Sequence, residues 1–128
     1  MQFKSLFFAA FCLLTVAACH DHEHEDDANS PVITLEAPLE GASISGPVNI
    51  HVKVTDESLH QMEIKVTKDA DGSELFKVAP TVHDQTEYHF EDSFTPTVVA
   101  ETAVTLTIKV TDHNDNTTSK VAKFTVKP

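Results

Sequence analysis

The sequence predicts an all-β fold: seven antiparallel strands stacked as a two-layer sandwich over residues 31–128. Three observations predict it. Apolar and polar residues alternate with a period of two through most of this stretch, the pattern of strands with one buried and one wet face. Turn-forming residues recur between the alternating runs. No segment of useful length repeats at 3.6 residues, so no helix is expected to interrupt the strands.

The segments follow in order. "VITLEAP" opens the domain, and "PVNIHVKVTD" places Val48, Ile50, Val52 and Val54 on one face against Asn49, His51 and Lys53 on the other. "HQMEIKVTKD" turns Met62, Ile64 and Val66 inward and Gln61, Glu63 and Lys65 outward. "SELFKVAP" is a shorter strand, and "TEYHFEDSF" sets Tyr88 and Phe90 against Glu87, His89 and Glu91. "AVTLTIKVTD" offers Val104, Leu106, Ile108 and Val110, and "SKVAKFTVKP" closes with Ala122, Phe124 and Val126. "PLEG" and "SGP" separate the first two strands, the Asp71-Gly72 step marks a hairpin, and "DHNDNTT" joins the last two.

Seven short strands with regular turns argue for an immunoglobulin-like sandwich, although the Cys–Trp–Cys core of antibody domains is missing and the chain has no tryptophan. The runs "PVITLEAPLEG", "VNIHVKVTD" and "LTIKVTDHNDNTT" resemble bacterial Ig-like domains of the cadherin/fibronectin type. More narrowly, residues 31–128 resemble Bacteroidota lipoproteins with a single Ig-like domain of unassigned function. The resemblance implies a fold and no activity.

Upstream, "MQFKSLFFAAFCLLTVAAC" has one early cation, Lys4, and an apolar run of 11 residues from Leu6 to Val16. A membrane-spanning helix needs about 20, so residues 1–18 read as an export signal. "VAAC" resembles a lipobox, with valine where leucine is usual, and implies lipidation of Cys19. Several acyl chains anchor a protein stably, each buried CH2 contributing about 0.8 kcal/mol. The expected location is the outer membrane, lipid-anchored and surface-exposed. The acid-rich segment after the cysteine resembles the signal those bacteria use for surface display, with histidine as a departure.

Cys12 leaves with the signal and Cys19 would carry lipid, so no disulfide is available to the fold. Removing residues 1–18 removes Lys4 and leaves eight lysines against 20 acidic residues, a charge of −12 with histidines neutral. There is no arginine, and a nucleic-acid partner is not expected because phosphate binding needs a basic face. The expected partners are the membrane, through Cys19, and an envelope protein or transporter.

Residues 19–30 read as an acidic, histidine-rich tether, with five acids and no lysine. His20, His22 and His24 alternate with Asp21, Glu23 and Glu25. In an extended chain the three imidazoles share one side at about 6.6 Å spacing. Neutral imidazoles suit zinc, copper or nickel, and the carboxylates could complete a shell around Zn2+ or Cu2+. The competing reading is a solvated spacer, since a closed zinc site has ligands fixed by a fold. His51 and His89 alternate onto solvent faces, and His60, His83 and His113 lie near turns.

"DHNDN" at 112–116 matches the calcium motif of cadherins, but a strand follows at once, and Asn and Asp also suit a tight turn. Enzyme signatures are absent. Three glycines exclude a phosphate-cradling loop, and neither G-x-S-x-G nor H-E-x-x-H occurs. Two functions remain: a non-catalytic, lipid-anchored interaction module, or a metal-handling lipoprotein whose tether captures Zn2+ or Cu2+.

Overall fold

Eight strands form in the computed structural model, which describes residues 29–128: β1 (Val32–Ala37), β2 (Ser43–Ser45), β3 (Val48–Thr55), β4 (Leu59–Lys68), β5 (Glu74–Val78), β6 (Glu87–Phe94), β7 (Thr102–Asp112) and β8 (Thr117–Lys127). They make a three-stranded sheet in the order β1-β3-β6 and a five-stranded sheet in the order β2-β8-β7-β4-β5. Seven of the eight coincide with the alternating segments.

The eighth corrects the expectation of seven antiparallel strands. β2 has only three residues, too few for alternation to register, and it runs parallel to β8, with Ile44 opposite Val126. Flanking bonds hold it there: Gly41 N–H donates to Lys123 C=O at 2.7 Å and Thr125 N–H to Ala42 C=O at 2.9 Å. The segment between "PLEG" and "SGP" is therefore a strand as well as a pair of turns.

The predicted faces are the observed ones. Val48, Ile50, Val52 and Val54 of β3 meet Met62, Ile64 and Val66 of β4 and Val104, Leu106, Ile108 and Val110 of β7 in one core, joined by Phe90, Phe124 and Val126. Full burial of each such side chain contributes about 1.5–3 kcal/mol, enough to hold a domain that has no disulfide. The Asp71-Gly72 step makes the β4–β5 hairpin. Gly72 takes the left-handed φ of 72°, and Lys68 N–H donates to Ser73 C=O at 2.9 Å. Asp71 accepts from both the Oγ and the N–H of Ser73, which hold its pKa below the ordinary value.

At one end of the sandwich β3 gives way to β4, β6 begins, and β7 turns into β8. The described chain enters at this same end: Asn29, Ser30 and Val32 border a shallow hollow with Thr55, Asp56 and Thr86.

Candidate metal centre

Three histidines converge at that end, each placed by a different backbone device. His60 owes its position to a β-bulge. Leu59 pairs with Asp112 and Gln61 with Thr111, so His60 is an extra residue on β4. Leu59 and Met62 both point into the core, and the two residues between them both face outward. Bulges re-aim side chains in this way.

His83 follows Val82, which is buried in the core and pins its segment to the sandwich. Gln85 N–H donates to Val82 C=O at 3.0 Å, closing a turn whose third residue, Asp84, has a φ of 63°. Aspartate tolerates that left-handed conformation better than most residues. Two more bonds fasten the turn to the start of β4: Asp84 N–H to Leu59 C=O and Leu59 N–H to Gln85 C=O, both 2.9 Å.

His113 begins the β7–β8 turn, which is built around the buried carboxylate of Asp112. Oδ1 accepts from the N–H groups of Asn114 and Asn116 at 2.8 Å, and Oδ2 accepts from Asn116 Nδ2 at 2.9 Å. Burial pushes the Asp112 pKa up, but these bonds, aided by the nearby His113, outweigh it and hold the group below its ordinary value. His113 N–H then donates to Ser58 C=O at 3.1 Å, tying the turn to the loop before β4. "DHNDN" is thus a turn whose first carboxylate is occupied by the turn itself.

One ring nitrogen from each of His60, His83 and His113 lies within 4.8 Å of the other two. The Nδ1 atoms of His60 and His83 are 3.3 Å apart. Zinc–nitrogen bonds of about 2.0–2.1 Å in a tetrahedron require nitrogens roughly 3.3 Å apart. That pair is already at coordination distance. Closing the longest separation, 4.8 Å, to that value takes a movement of about 1.5 Å, within reach of ring rotation by partly exposed side chains.

Asp84 stands behind the rings. Its Oδ1 is 2.9 Å from His113 Nε2 and its Oδ2 is 3.4 Å from His83 Nε2. A carboxylate against Nε2 favours the tautomer protonated there and leaves the Nδ1 lone pair for an ion, the usual outer support of a metal-binding histidine. Nitrogen donors of this kind suit Zn2+, Cu2+ or Ni2+ and not Ca2+.

His51, half-buried on β3, and His89, exposed and 2.8 Å from Glu87 Oε1, lie apart from this group. Cys19 and the tether residues His20, Asp21, His22, Glu23, His24 and Glu25 lie outside the described residues. In the sequence His60, His83 and His113 sit near turns, and nothing in their spacing brings them together.

No family profile matches the chain, and no curated protein matches it. Among solved structures it is similar to an engineered protein of the Northeast Structural Genomics Consortium, with a TM-score of 0.56 and 17% identity. The match covers 77% of this chain and spans 20% of that one, so it speaks for the fold alone.

Proposed function

We propose that this chain is an envelope metal-binding module: an Ig-like sandwich, lipid-anchored at Cys19, that holds Zn2+ or Cu2+ between His60, His83 and His113. The observation that carries the reading is the convergence of three imidazoles from three separate segments, each locked by backbone hydrogen bonds. The ion is assigned to the sandwich because its three histidines are held by a fold, as the ligands of a closed zinc site are, with the tether as an auxiliary. The Ig-like reading is supported by the strand order, because β1-β3-β6 opposite β8-β7-β4-β5 corresponds to strands ABE opposite GFCC′ of that fold.

Isothermal titration of the mature chain carrying Cys19→Ser and His20, His22 and His24→Gln tests it. Saturable Zn2+ or Cu2+ binding that is lost in His60→Ala and His113→Ala supports the sandwich site. Binding that vanishes with the tether histidines alone would return the ion to the tether. Absence of binding in every form leaves the interaction module as the better account.

A further inference from the structure

Three histidines would fill three positions of a tetrahedral ion and leave the fourth for another ligand. His60 and His83 also form one wall of a pocket of about 500 Å³ that lies against the outer face of β4 and β7. Its floor is made by the paired residues Gln61 and Thr111, then Glu63 and Lys109, and the segment from Ala79 to Val82 overhangs one side. The volume lies in the range of small-molecule sites.

The charges in this pocket are unequally engaged. Glu63 faces Lys109 in register, but its ion pair is with Lys77, at 3.9 Å. Among the described residues Lys109 has no ion-pair partner of its own. The chain as a whole carries −11, which repels anions. Only charges within a Debye length of about 8 Å count strongly at physiological salt. Locally, a divalent ion and Lys109 would contribute three positive charges against two from Asp84 and Asp112, with Glu63 and Lys77 cancelling.

We propose that the metal-loaded site takes a small carboxylate as its fourth ligand, with the oxygen on the ion and the negative charge favoured by Lys109. This rests on the metal reading above. It makes the sandwich a receptor for a metal–carboxylate complex, where a closed metal store would need a fourth ligand from the chain.

The test uses the mature chain carrying Cys19→Ser and the three tether His→Gln changes, loaded with Co2+, whose visible absorption reports its ligand set. Adding lactate is expected to shift that absorption saturably while the ion stays bound, and lactamide, its neutral analogue, is expected to leave it unchanged. Lys109→Gln should bind Co2+ at least as tightly as the parent but lactate about three- to fivefold more weakly, the effect of one exposed charge. If Co2+ binds through the histidines and lactate leaves its spectrum unchanged, or Lys109→Gln has no effect, the carboxylate inference fails and the metal site stands. If Co2+ gives no spectrum sensitive to His60→Ala, both fall.

Discussion

Replacing Asp112 by alanine should loosen the histidine end of the sandwich without touching a histidine. The carboxylate is buried and accepts three hydrogen bonds at 2.8–2.9 Å from Asn114 and Asn116. Bonds to a charged group contribute about 1.5–3 kcal/mol each. The donors lie at the surface, where water replaces part of the loss, so the whole change should cost about 3 kcal/mol and not the full sum. In a domain of this size that corresponds to a melting temperature lower by roughly 15 °C.

The pH dependence has a definite sign. Asp112 in the folded protein titrates below its ordinary value of 3.8, so its stabilisation is complete above that value and is lost as pH falls through the folded one. Thermal melts of parent and Asp112→Ala, followed by circular dichroism, should differ by the same amount between about pH 7 and 5, and the gap should narrow as pH falls below about 4. A difference under about 3 °C at neutral pH, or one that widens in acid, would refute the account of the turn.

Val52→Asp and Ile108→Asp should each unfold the domain by circular dichroism, because an unpaired charge in the core costs more than marginal stability allows. Lys53→Asp should stay folded, since it loses only an exposed ion pair with Glu87 at 3.9 Å, of about 1 kcal/mol at most. Asp84→Asn should weaken Zn2+ binding about 10- to 100-fold in a titration, as removal of an outer-shell partner does. Zn2+ affinity should also fall on acidification, because protons compete for the imidazole lone pairs. Cys19→Ser should move the exported protein from the detergent phase to the aqueous phase on partitioning.

The strands were legible because burial imposes a period of two, and β3 and β7 show it without interruption from Val48 to Val54 and from Val104 to Val110. β2 escaped because three residues hold no period, and its pairing with β8 is set by distant packing. The site escaped for a related reason. Counting back from Met62 in steps of two places His60 on the core side, and only the bulge opposite Asp112 and Thr111 reverses it. One signal was present: Leu59 and Met62 are both apolar and three apart, a spacing that an unbroken strand does not bury on one face. His83 and His113 depend on which loops share an end of the sandwich, and pairing topology decides that.

The entrance of the chain beside Thr55 and Thr86 has a consequence for supply. From His24 to Asn29 is five residues, a span of at most about 18 Å. Chain length alone therefore keeps His24 within that reach of Asn29, at the end of the domain that carries His60, His83 and His113. An ion caught on the tether would meet the site at an effective concentration in the millimolar range, as short linkers give. Exchange between the two sets of imidazoles then becomes an intramolecular step, insensitive to how dilute the metal is outside. With a lipid on Cys19, this traffic would run on the side of the domain that faces the membrane.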